Sequence, residues 1–177
     1  MTIVIHQAKC LEPLGDTSAI LNLVRFDGSD LGSAIGDLFE RSFNSLPPTF
    51  PIHFICRLIH HEASVVLGYV HHTRESRYYL GGGMCVDSRA YRRLEAPIRQ
   101  AIQDLGGIAH WMLDRSCNFL TDREAVFGYV GDRRALNVDL RTNFQTTRYP
   151  RLIVRWLGDI PPDADALIDE VHALGPF

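Results

Sequence analysis

The chain has 177 residues, enough for one domain with a sizeable core. Hydrophobic residues make up 46% and charged residues 22%, with a net charge of −3, a balance that fits a folded domain and points away from nucleic-acid binding. No run approaches the roughly 18 apolar residues of a membrane span.

Cys10, Cys56, Cys85 and Cys117 are too scattered for a zinc ribbon or a Cys-x-x-Cys redox motif. Met1 to His6 has no basic-then-apolar leader pattern, so a reducing cytoplasm is the expected compartment. All basic residues but Lys9 are arginine, which reads mainly as codon bias.

In chain order, Thr2 to His6 reads as a short extra strand and Ala19 to Phe26 as a full one. Ser29 or Asp30 can cap a helix whose apolar positions are Leu31, Ile35, Leu38, Phe39 and Phe43. Pro47-Pro48 ends it. Ile52 to Ile59 and Ser64 to His71 form a hairpin, and Tyr78 to Val86 is a third strand of that group. Tyr91, Leu94, Ile98, Ala101, Ile102 and Leu105 recur at helical spacing, so a helix is expected over Arg92 to Leu105, stopped by Gly106-Gly107. Ile108 to Leu113 reads as a short buried strand. Asp122 to Tyr129 and Gly131 to Thr142 read as helical, Arg151 to Leu157 as a strand, and Leu167, Val171 and Leu174 as one face of a final helix. The alternation makes the chain α+β with a mixed sheet. The organisation is an N-terminal extension over 1–18, a domain over 19–157, and a C-terminal helix over 158–177 packing on it.

Three segments give this order a family likeness. Val65-Val66-Leu67-Gly68-Tyr69-Val70 has an apolar-Gly-aromatic-apolar form. Met84-Cys85-Val86-Asp87 leads into a basic turn with Tyr91-Arg92-Arg93. Asp132 to Phe144 aligns with the pattern Asn-x-x-Ala-x-x-Leu-Tyr-x-x-x-Gly-Phe, matching at Ala135, the apolar Val138 and Phe144. Asp132 stands for the Asn, Asp139 for the Tyr and Asn143 for the Gly. Asn accepts a positive φ better than most residues. Together these segments resemble the GNAT superfamily of N-acyltransferases over about residues 19 to 157.

The resemblance implies a single GNAT-like domain with a splayed sheet, Met84–Val86 lying beside Ile108–Leu113. It implies acetyl-CoA or a related acyl-CoA as donor substrate and no metal. The pantetheine arm would lie along the backbone of Met84, Cys85 and Val86. Arg92, with Arg93 beside it, matches the first position of the diphosphate loop Gln/Arg-x-x-Gly-x-Gly/Ala. Glu95 and Pro97 replace the loop glycines, which leaves an altered loop, a weaker donor site or none as the alternatives.

Acyl transfer to an amine needs a base, oxyanion stabilisation and an acid for the leaving thiolate. Asp139 holds the place of the family's acid and serves only if burial raises its pKa. Tyr129 is the nearest tyrosine that could substitute, against a reading as a packed aromatic. Asp114, expected just after a strand at the splay, is a candidate base or amine anchor, against a reading as a loop cap. Asp87 reads as the cap of the basic turn, and Cys85 as a small buried hydrophobe. The hairpin sets His53 beside His71 or His72, a pair that could bind metal or aid deprotonation but reads more readily as structural. The expected activity is acyl transfer from a CoA thioester to a small-molecule or protein amine, with no nucleic-acid or membrane partner, in a chain that could form a homodimer. The competing expectations are a GNAT-fold binding or assembly module without catalysis, and an unrelated α+β enzyme using the histidines.

Overall fold

A computed structural model of the protein describes residues 3–11, 19–27, 35, 37–48, 52–61 and 63–177. The helix start expected at Ser29 or Asp30 and the turn residue Glu62 lie outside them. The described strands are β1 (Ile3–Leu11), β2 (Ala19–Asp27), β3 (Ile52–His60), β4 (Ala63–Arg74), β5 (Tyr78–Val86), β6 (Ala125–Tyr129), β7 (Gln145–Thr146) and β8 (Leu152–Trp156). The described helices are α1 (Leu38–Phe43), α2 (Ser88–Arg93), α3 (Ala96–Asp104), α4 (Ile108–Asn118), α5 (Arg133–Arg141) and α6 (Ala164–Ala173). The strands form one mixed sheet in the order β1-β2-β3-β4-β5-β6-β8-β7. Neighbours are antiparallel except for the parallel pair β5 and β6. The N-terminal segment is therefore part of the sheet, because β1 pairs along the whole of β2.

Period-two alternation gives the sheet two apolar faces. One carries Leu21, Leu23, Phe54, Leu58, Leu67, Val70, Tyr79 and Val126, and is covered by Ile98 and Ile102 of α3 and by Trp111, Met112 and Cys117 of α4. Ala135, Leu136 and Val138 of α5 pack against the same cluster. On the other face, α1 covers Val24, Phe26, Ile55 and Tyr69 with Leu38 and Phe39. There α6 covers Tyr78, Leu80, Ala125 and Phe127 with Leu167 and Val171.

Two elements correct the sequence expectation. Ile108–Leu113 is no strand; it is the first half of α4. Its buried residues Ile108, Trp111, Met112, Ser116 and Cys117 recur at helical spacing, so one face of a helix meets the sheet. The strand beside β5 is instead β6, within a stretch read as helical. Ala125, Val126 and Phe127 are buried from both faces, so the strand shows no alternation. The long helix expected from Arg92 is also broken into α2 and α3 at Leu94 and Glu95, both extended, with ψ of 151° and 147°.

The parallel seam is short. It runs from Tyr78 opposite Ala125 to Gly81 opposite Gly128, and no later residues of the two strands pair. Just past it β5 bulges: Val70 faces Met84 and His72 faces Gly81, so Gly82 and Gly83 together oppose His71. The His71 ring fills the space that a Gly82 side chain would take. The Gly83 amide donates to His71 Nε2 at 3.1 Å. A gap between the half-sheets opens from this bulge. At its closed end, Arg77 forks onto both oxygens of Glu124 at 2.7 Å and reaches Asp163 at 2.8 Å. Arg74 and Tyr79 both bond Asp122, and Arg123 donates to the Glu75 carbonyl at 2.7 Å.

Candidate functional site

The gap is the candidate site. On the α5 face it holds a cavity of about 350 Å³ lined by Gly81, Gly82, Gly83 and Met84 on one side and Gly128, Asp132 and Asp139 on the other. A second cavity of about 410 Å³ lies toward α1 and shares Phe43, Gly82 and Gly83 with the first. A third, of about 590 Å³, adjoins through Val130, Gly131, Asp132 and Ile153, and carries Arg133, Arg148 and Arg151. At this shared border the His71 and Phe43 rings occupy the space that side chains at Gly82 and Gly83 would take. A Cβ on Gly83 would lie 3.0 Å from the Phe43 ring.

Asp139 projects from α5. Asp132 starts that helix by accepting from the Arg134 and Ala135 amides at 2.6 and 3.0 Å. Asn143 follows its end at φ 64°, the left-handed conformation expected of it, and the Phe144 amide returns to the Asp139 carbonyl at 3.2 Å. Phe144 then turns into the core. Burial pushes the Asp139 carboxyl up to about 6, and the nearby Asp132 charge adds to the shift. The condition the sequence set for Asp139 as an acid, burial that raises its pKa, is present.

Tyr129 also lines the first cavity, but its side chain points to the α6 face. Its hydroxyl lies 3.2 Å from His172 Nδ1 on α6, and its ring meets Phe177 edge-on at 5.4 Å between centroids. Asp114 is not at a strand end. It lies inside α4, where Oδ1 accepts from Arg155 Nη1 at 3.2 Å. Arg155 is 8% exposed and also donates to Asn118 at 2.7 Å and to the Thr142 carbonyl at 3.0 Å. Asp114 thus balances a buried cation rather than facing the gap.

Of the three β5 residues, Met84 lines the first cavity, while Cys85 is buried against α1 among Phe39 and Tyr69. Burial pushes its thiol up, which suits a packing role. Val86 lines a further cavity of about 270 Å³ with Tyr91, Gly106, Gly107, His110 and Val138. Arg92 and Arg93 are exposed in the last turn of α2. They do not stand at a free helix start. Asp87 accepts from the Arg89 and Ala90 amides at 2.9 and 3.0 Å and holds Arg41 at 3.0 Å. Burial alone would raise the Asp87 carboxyl, but these bonds from Ala90, Arg41 and Arg89 hold it below its ordinary value.

The helix start that borders Val86 without a side-chain cap is that of α4. Gly106 and Gly107 both take φ 89°, and no side chain caps the helix. The first-turn amides of Ile108, Ala109 and His110 have no acceptor within the helix, as at any helix start. The sequence reading used Gly106-Gly107 only as a stop. The same pair begins the next helix, and the glycine-rich turn was the signal available.

His53 pairs across the hairpin with His71. His53 Nδ1 lies 2.8 Å from the Tyr69 hydroxyl. Among the described residues no group of three or more His, Cys, Asp or Glu is placed to hold a metal. Burial lowers His71 to about 4, with the neighbouring His53 adding to it. Burial likewise lowers His72 to about 3, helped by His71 and Arg25. Ser116 spends its proton on the Leu113 carbonyl at 3.0 Å, so at 3.3 Å His72 Nε2 is the donor to Ser116 Oγ. His110 lies in α4, its ring against Gly106, and not in a strand.

Comparisons with protein-family models, with curated proteins and with solved structures find no match. Among the described residues no helix is long and apolar enough to cross a membrane.

Proposed function

We propose that this chain is a GNAT-like N-acyltransferase that moves an acetyl or other acyl group from a CoA thioester to an amine. The observation that carries the reading is the parting of β5 from β6 after Gly81 and Gly128, above a cavity lined by Asp139. Among the described residues the β5 edge from Gly82 to Val86 has no strand partner on that side, so an extended pantetheine arm can pair with it as an added strand would. Met84 and Val86 border the route, and Cys85 gives backbone only, because its side chain points to α1. The open start of α4 beside Val86 suits the diphosphate, since free amides attract anions there. Arg92 and Arg93, exposed next to Tyr91, would add charge from outside the turn.

In the reaction, the amine nitrogen attacks the thioester carbon, a C–N bond forms and the C–S bond breaks. Neutral Asp139 gives its proton to the departing thiolate. The proton shed by the nitrogen passes to solvent, and the Asp139 carboxylate regains one from solvent. Tyr129, its hydroxyl engaged by His172, is the weaker candidate for that acid.

Titration with CoA and acetyl-CoA by calorimetry tests the donor, and thiol release in the presence of amines tests the chemistry. Saturable CoA binding with amine-dependent thiol release is expected. Binding without release over a broad amine panel would leave a binding module instead, and absence of binding by any acyl-CoA would sink the reading.

A further inference from the structure

We infer that the acceptor is a primary amine carried on an apolar, ring-sized body, and that it enters from the face covered by α1 and α6. This rests on the acyl-transfer reading for its chemistry, though not for its binding test. The cavity on that face has about 410 Å³, within the range of small-molecule sites. Its walls are Phe39, Phe43, Leu46, Pro48, Leu80 and Phe177. Polar side chains come only from Ser45, His71 and Thr73, and none of the described lining side chains carries a formal charge once His71 is neutral.

Three of those walls are large apolar side chains left in solvent: Phe43 at 40%, Leu46 at 79% and Phe177 at 38% exposure. Scattered apolar residues need no explanation, but three around one opening make a patch that a ligand would cover. Its inner end abuts the cavity that holds Asp139, the two sharing Phe43, Gly82 and Gly83 as lining residues. An amine whose body fills the apolar chamber therefore points its nitrogen at the gap, where the thioester carbon would lie. The same walls penalise the ammonium form, which has no lone pair, and so favour the reactive free amine. A polyamine, an amino sugar or an acidic acceptor would have to bury unpaired polar groups there.

The test is calorimetric titration of 2-phenylethylamine, ethanolamine, spermidine and a lysine-containing peptide into the protein, alone and with CoA present. 2-Phenylethylamine should bind at least about tenfold more tightly than ethanolamine, the factor expected from burying a ring. Leu46→Asp and Phe177→Asp, both on the exposed rim, should abolish that margin and leave CoA affinity unchanged. The order of acyl-transfer rates should follow the order of binding. Absence of 2-phenylethylamine binding would overturn the inference, as would equal or tighter binding of ethanolamine, spermidine or the peptide. An unchanged margin in both rim variants would also overturn it. Failure of CoA to bind while the amine margin persists would count against acyl transfer alone.

Discussion

The two walls of the gap carry opposite kinds of ionisable group and reach the same state. The β4–β5 wall holds His71 and His72, and burial drives both down, to about 4 and about 3. The β6–α5 wall holds Asp139, and burial drives it up, to about 6. Desolvation opposes charge of either sign, so a base and an acid buried along one gap both move toward neutrality. The difference is in what each can then do. A neutral histidine whose ring nitrogens serve Gly83 or Ser116 shapes the wall, whereas a carboxyl near its midpoint can still give up a proton.

The largest effect expected is on the acidic wall. Asp139→Asn keeps the shape and removes the acid, so kcat should fall by about 100-fold or more. CoA affinity by calorimetry should stay as it was. A variant with unchanged kcat would put the proton source elsewhere and end the contrast between the walls.

Next is the bulge on the other wall. Gly82→Ala sets a methyl against the His71 ring, which the Gly83 amide holds in place. Overpacking of this kind costs about 1–3 kcal/mol. Urea unfolding should show that loss as a lower midpoint at unchanged slope.

Ser116→Ala is smaller. It strips His72 Nε2 of its acceptor in a fully buried setting, at a cost of about 1 kcal/mol. A stability equal to wild type would mean that the 3.3 Å contact contributes nothing.

The smallest effect separates the walls by pH. For His71 and His72 the folded values, about 4 and about 3, lie below that of a free histidine, so the unfolded chain binds more protons. Their contribution to stability is lost as pH falls through about 6.5 toward those values. For Asp139 the folded value, about 6, lies above that of a free carboxyl. The folded chain binds the extra proton, so its penalty is present above pH 6 and relieved as pH falls toward 4. Asp139→Asn should therefore melt higher than wild type at pH 8, by about 2 °C, since partial exposure moderates the penalty. The advantage should vanish near pH 4. An advantage that does not change with pH would deny Asp139 its raised pKa.

The regular parts of this chain were legible because each obeyed one period. The alternation of β3 and β4 put His53 beside His71 or His72, of which the register takes His71, and the pattern from Asp132 to Asn143 marked α5 and a residue at its end that accepts positive φ. The errors came where burial erased the period. Ile108 to Leu113 is apolar at nearly every position, and Ala125 to Tyr129 is walled on both faces, so length had to arbitrate. Continuing the helical spacing from Ile108 to Cys117 would have reversed the first error. Asp139 was a candidate by its place in a pattern, but the direction of its pKa was not readable there, because burial is set by distant segments. At the basic turn Asp87, read from the sequence as its cap, takes the Arg89 and Ala90 amides, so any attraction Arg92 and Arg93 offer an anion comes from their side chains alone.

The network around Arg77 has a mechanical consequence. Charged and hydrogen-bonded contacts among Arg74, Arg77, Tyr79, Asp122, Arg123, Glu124 and Asp163 gather at the narrow end of the seam. From Gly82 onward the two half-sheets share no ladder. Beyond the seam the half-sheets are tied through the helix that covers them: Asp114 and Asn118 of α4 hold Arg155 of β8, and Met112 shares one core with Val70, Val126 and Ile153. The gap is therefore a fixed slot, closed by charge at one end and roofed by α4 at the other.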